Sequence, residues 1–119
     1  MKSFVEFNMV AGGTIKEGQV LKYDSTSHGL VPAVKDDPIV GVAAQTVDAG
    51  QGVAIHSFET GKVIQVLVHA TVAEGAQLGV DASGNIITLT SSISDLPLTT
   101  VEAKTISGGD ELVRCVTLY

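Results

Sequence analysis

Tryptophan is absent from this chain of 119 residues, and aromatic residues make up only 4% of it although 45% of the residues are hydrophobic. A core made from such a sequence must be filled by Val, Ile, Leu and Ala, side chains that suit pleated sheets. The same poverty counts against a sugar-stacking surface. Cysteine occurs once, as Cys115. It has no intrachain partner, so the fold is not expected to depend on an oxidising compartment. Basic residues are few: 7 Lys and Arg stand against 13 Asp and Glu, a net charge of -6. No stretch gathers cations and aromatics into a phosphate-binding surface, which excludes direct nucleic-acid binding as the expected function. A long apolar run is missing too. The strongest, residues 63–68, is far short of the ~20 residues a membrane-spanning helix needs, so no membrane association is expected. The start, Met1-Lys2-Ser3-Phe4-Val5-Glu6-Phe7, is interrupted by Glu6 where a secretion signal needs apolar continuity.

What is present is internal similarity. Thr14-Ile15-Lys16-Glu17-Gly18, Leu21 and Asp24 match Thr71-Val72-Ala73-Glu74-Gly75, Leu78 and Asp81 at a constant offset (71 − 14 = 57). Further on, Pro38, Val42, Ala44, Thr46, Val47 and Gly50 match Pro97, Val101, Ala103, Thr105, Ile106 and Gly109 at an offset of 59 (97 − 38 = 59). Each copy reads as a Glu-Gly turn, a strand (20–23 or 77–80), and a polar reversal opened by Asp and closed near Gly. A second strand and a proline follow, then further strands at 39–44 and 53–58, or 98–103 and 112–118. Residues 61–70 read as a long strand through the middle of the domain. Residues 89–96 are Ser/Thr-rich without helical spacing and read as a loop with at most one helical turn. The expectation is an all-β fold, a compact β-clip-like or small-barrel domain over residues 13–119 built from two similar motifs at about 13–60 and 70–119, preceded by an N-terminal arm or edge strand at 1–12.

Candidate chemistry is thin. His28, His56 and His69 lie 28 and 13 residues apart, without metal-ligand spacing. Cys115 sits in an apolar strand where nothing lowers its pKa, and reads as a small buried hydrophobe. The neighbouring carboxylates Asp36-Asp37 and Asp110-Glu111 fall in predicted turns. Gly12-Gly13, Gly50-Gln51-Gly52 and Gly108-Gly109 match neither a P-loop nor a dinucleotide fingerprint. Lys22, Lys35, Lys62 and Lys104 lack the setting of a lipoyl or biotin carrier. No catalytic residue, metal site or cofactor is therefore expected, and the chain reads as non-enzymatic. The segment outside both motifs carries Phe4, Val5, Glu6, Phe7, Asn8 and Met9, with Val5, Phe7 and Met9 on one face if extended. It is the candidate binding element, either an edge strand of its own domain or an arm adding to a partner's sheet.

The order Ala11-Gly12-Gly13-Thr14-Ile15-Lys16-Glu17-Gly18-Gln19-Val20-Leu21-Lys22, then Asp24, Gly29-Leu30-Val31-Pro32-Ala33 and Asp37-Pro38-Ile39-Val40-Gly41-Val42-Ala43 resembles the capsid cement, or head decoration, proteins of tailed phages related to the phage lambda decoration protein. The resemblance spans about residues 10–116. It implies a protein made in the host cytoplasm that assembles as homotrimers on the outer capsid surface of the virion. There it would bind the major capsid (coat) protein after shell expansion and bridge neighbouring coat subunits. The implied N-terminal arm corresponds to residues 1–10. The alternative drawn from the residues is a non-catalytic β-clip module that binds a ligand or carbohydrate.

Overall fold

In the computed structural model, which describes residues 9–118 and the backbone of Phe4 and Val5, no described residue is helical. The strands are β1 (Phe4–Val5), β2 (Val20–Asp24), β3 (Gly29–Pro32), β4 (Gly41–Ala43), β5 (Ile55–His56), β6 (Val63–Val68), β7 (Gln77–Val80), β8 (Ile86–Thr88), β9 (Ser94–Thr100) and β10 (Glu111–Thr117). They form two antiparallel sheets of five, ordered β1-β5-β4-β2-β3 and β6-β10-β9-β7-β8. Strand for strand the two orders are the same. The expectation of an all-β chain therefore holds, and neither sheet closes into a barrel. The chain divides into two units, Met1–Ala33 with Asp37–Ser57, and Val34–Asp36 with Phe58–Tyr119.

Local chemistry explains the reversals. Gly18 and Gly75, at the Glu-Gly turns, have φ of 89° and 80°, a region L side chains avoid. The amide of each donates to the fourth or ninth strand, Gly18 to Ala43 O and Gly75 to Thr100 O, both at 2.9 Å. In the β2–β3 reversal, Asp24 Oδ2 accepts from the Ser27 amide (3.1 Å) and hydroxyl (2.8 Å). In the β7–β8 reversal, Asp81 Oδ1 accepts from the amides of Ser83 and Asn85, each at 2.9 Å.

The hydrogen-bond pattern recurs, with a separation of 56 in β3 and β8 (86 − 30 = 56), where Tyr23 lies opposite Leu30 as Val80 lies opposite Ile86, and of 57 around β2, β4, β7 and β9. Val20 lies opposite Val42 as Gln77 lies opposite Thr99, and Ile15 bridges Val47 as Val72 bridges Lys104; each of these residues shifts by 57 (77 − 20 = 57; 104 − 47 = 57). The offset of 59 aligned Pro38 with Pro97, but the two prolines occupy different places. Pro97 lies inside β9, where the β7 pairing is irregular between Gln77 and Gly79. A bulge tolerates a residue without an amide proton. The structure also begins β9 at Ser94, within the stretch read as a loop, because Ser94 and Asp95 pair with Val80 and Gly79. Non-local pairing there overrides a weak local signal.

Two packing faces result. In the first unit Ala11, Ile15, Leu21, Leu30, Ala43, Val47, Val53 and Ile55 form a buried cluster, with Met9 packed against it. In the second, strict alternation buries Ile64, Val66 and Val68 of β6, Leu96, Leu98 and Thr100 of β9, and Val113, Cys115 and Thr117 of β10. Each such aliphatic side chain contributes about 1.5–3 kcal/mol when fully buried. Thr100 is compatible with that interior because its hydroxyl donates to Ala73 O (2.6 Å) and accepts from the Ala76 amide (3.0 Å). The strand expected to run through the middle of the domain, β6, lies instead at an edge of its sheet.

Candidate functional site

The titratable side chains are dispersed into local partnerships. His28 is exposed in the β2–β3 reversal with φ of 57°, and His56 is half-buried on β5. His69 follows β6, and its Nδ1 lies 2.7 Å from Asp110 Oδ1. Asp36 exchanges hydrogen bonds with Ser94, amide to Oγ at 2.7 Å and Oγ to carboxylate at 3.0 Å. Its neighbour Asp37 pairs with Lys22 at 3.3 Å. Glu111, beside Asp110, turns to Lys104 at 3.7 Å. Each adjacent carboxylate pair is thus split between two partners. Among the described residues no group of three or more His, Cys, Asp or Glu is placed to hold a metal ion.

The charged forms of three carboxylates are favoured by their surroundings. The Ser27 hydroxyl and amide hold Asp24 below its ordinary 3.8. At Asp81 burial pushes upward, but hydrogen bonds from the amides of Asn85 and Ser83 and from the Asn85 side chain act against it, and the carboxyl falls below 3.8. Glu102 is lowered by the Arg114 amide (2.8 Å) and guanidinium (3.3 Å). These shifts belong to turns and strand ends, where the hydrogen bonds serve the fold. Cys115 goes the other way: it is fully buried on β10, and burial, reinforced by the charge of Glu102, pushes the thiol up to about 12. A nucleophilic thiolate is not available there at neutral pH.

The residues of the candidate binding element are placed unevenly. The backbone of Phe4 and Val5 pairs with His56 and Ile55 and takes an edge of the first sheet. Glu6, Phe7 and Asn8 lie outside the described residues. Met9 is half-buried against the core, and its carbonyl accepts the Val53 amide at 3.1 Å. Residues 10–12 continue into the unit: Ala11 N donates to Gln51 O, Gly50 N to Ala11 O, Gly12 N to Leu30 O and Leu30 N to Val10 O, all at 2.8 Å. Gly29 makes this approach possible, since a Cβ there would stand 2.7 Å from Val10 O and 2.8 Å from Gly12 N.

Sequence reasoning passed over the outer edge of β6. Val63 is the most exposed of the large hydrophobic residues at 58% and Gln65 is exposed, whereas Ile64, Val66 and Val68 are buried. The signal was the single Gln amid five aliphatics, which marks the face turned to water.

Two five-stranded antiparallel sheets of identical order define the class of fold. In a solved structure the likeness is to the N base of head fiber gp8.5 in bacteriophage phi29, with a TM-score of 0.71, 19% sequence identity, and coverage of 96% of this chain and 93% of that one. At this identity the likeness is one of fold. No protein-family model matches the chain, and no curated protein matches it.

Proposed function

We propose that this chain is a non-enzymatic structural protein of a phage head, a cement protein that binds the outer capsid surface after expansion and bridges coat subunits. The observation that carries the reading is the fold likeness, over 96% of the chain, to a head fiber base of phage phi29. The resemblance of residues 10–116 to head decoration proteins supports the same assignment independently. The dispersal of titratable groups into local pairs accords with a role in binding rather than in chemistry. In this reading the chains sit as homotrimers at three-fold and quasi-three-fold positions, and many weak contacts act together to resist internal pressure. The segment carrying Phe4, Val5, Glu6, Phe7, Asn8 and Met9 supplies part of the contact with the coat protein. The likeness to gp8.5 favours a second reading of the same class, the base of a fibre anchored on the head.

The test is sedimentation of the purified protein with expanded and with unexpanded capsids. Saturable binding to expanded capsids is expected, weakened in a chain that begins at Met9; binding to neither form overturns the proposal. A reconstruction then separates the two readings: density at every local three-fold supports cement, and density at sparse sites supports a fibre base.

A further inference from the structure

Along the outer edge of β6 the main-chain groups of alternate residues pair with no other described residue. Thr117 N donates to Lys62 O and Thr117 O accepts from Gly61 N, both at 2.9 Å, so Thr117 turns its main chain toward β6, while Arg114 O accepts from Val101 N at 3.0 Å on the β9 side. Alternation along the antiparallel ladder then gives Ile64, Val66 and Val68 their bonds to β10 and turns the N–H and C=O of Val63, Gln65 and Leu67 away from it. None of these six groups is bonded to another described residue. The free stretch ends where His69 N donates to Ile86 O at 2.8 Å, and begins after the turn at Gly61, whose φ is 79°. Edge strands are ordinarily protected by a charge, a proline or a bulge. Residues 63–68, Val-Ile-Gln-Val-Leu-Val, contain no charge and no proline, and their ladder to β10 has no break in register.

We infer that this edge pairs with the β6 edge of a second copy, antiparallel, about a two-fold axis through Gln65. The occupant follows from self-complementarity. That axis sets Val63 opposite Leu67 of the other copy, Gln65 opposite Gln65, and Leu67 opposite Val63. Each of the six free groups on either chain meets a free group of the other. Apolar side chains oppose apolar ones, and amide opposes amide. The ends are complementary in charge: Lys62 of one copy falls opposite Val68 of the other, whose neighbour on β10 is Glu111. A single pair of short strands is a small interface and associates weakly in free solution, but strongly where copies are already held close together. The pairing does not depend on the capsid reading. If that reading holds, two-fold contacts join neighbouring three-fold sites, and β6 links trimer to trimer.

Gln65→Cys tests the geometry, because the hydrogen-bonded pair at the axis sets the two Cα atoms about 5.5 Å apart, within disulfide range. Under oxidising conditions this variant is expected to form a covalent dimer at least about tenfold faster than Ser83→Cys, an exposed hairpin control, at equal concentration. Gln65→Lys, which sets like charges face to face, is expected to abolish association by sedimentation equilibrium while leaving thermal unfolding unchanged. Cross-linking no faster than the control, or undiminished association of Gln65→Lys, overturns the inference. Covalent species that are dimers alone uphold the edge pairing and remove the trimer. Covalent species built of linked trimers uphold both.

Discussion

The two units carry the same strand order and differ at the seam between their first and third strands. In the first unit the chain at 10–12 is bonded on both sides, to Gln51 and Gly50 on one and to Leu30 on the other, and Gly29 allows the close approach. In the second, where the reversal is one residue shorter, Val80 lies opposite Ile86 as Tyr23 lies opposite Leu30, so Asn85 stands in the place of Gly29, and a single bond from His69 N to Ile86 O repeats that from Gly12 N to Leu30 O. Along Val63, Gln65 and Leu67 the main chain of β6 pairs with no other described residue. One topology thus yields a doubly bonded seam where a glycine sits and a singly bonded one where an asparagine does.

The largest expected effect tests whether the equivalence extends to the cores. Leu21 and Leu78 stand 57 residues apart and are both fully buried. Leu21→Ala and Leu78→Ala are each expected to cost about 2–5 kcal/mol in denaturant unfolding. A cost under about 1 kcal/mol at either site breaks the equivalence.

The seam itself comes next. Gly29→Ala forces a methyl against two backbone atoms and is expected to cost about 1–3 kcal/mol, whereas Asn85→Ala, at the matching position, keeps the Cβ and loses only a side-chain hydrogen bond to Asp81, for about 0.5–1.5 kcal/mol. Amide exchange at Leu30 and Gly12 checks the mechanism, since both should lose protection in Gly29→Ala. Retained protection there means that the seam is not what the glycine serves.

The smallest effect is electrostatic. The carboxyls of Asp24 and Asp81 are lower in the folded chain than the ordinary 3.8, so each contributes stability that is present above the unfolded pKa and lost as pH falls through the lower folded value. Asp24→Asn and Asp81→Asn should therefore melt slightly below the parent at pH 7, and the differences should vanish near pH 2. A gap that persists in acid would assign the effect to turn geometry instead of charge. Because both groups face solvent, added salt should narrow the gap at pH 7.

How much was legible follows from what is local. The Glu-Gly turns and the Asp-led reversals could be read from the sequence because Gly18, Gly75, Asp24 and Asp81 act within a few residues of themselves. The alternation of residues 63–68 showed a strand, but not whether it lay in the middle or at an edge, since neighbours in a sheet are chosen by distant segments. The start of β9 was hidden for the same reason, as Ser94 and Asp95 take their conformation from Val80 and Gly79. Matching two prolines misplaced the later offset, because Pro97 marks a bulge and Pro38 lies outside any strand. Of the binding element, Met9 proved to serve the core, which its place outside the recognised repeat had concealed. Glu6, Phe7 and Asn8 lie beyond the described residues. The edge of β6 escaped notice because its free groups belong to the main chain, which every sequence shares.

Cys115 is a consequence of burial with a bearing on shelf life. A thiol pushed up to about 12 by burial stays protonated at neutral pH, and its sulfur is fully enclosed. Oxidants and neighbouring thiols attack the thiolate. The single cysteine is thereby kept from covalent scrambling and ageing in air for as long as β10 stays in its sheet.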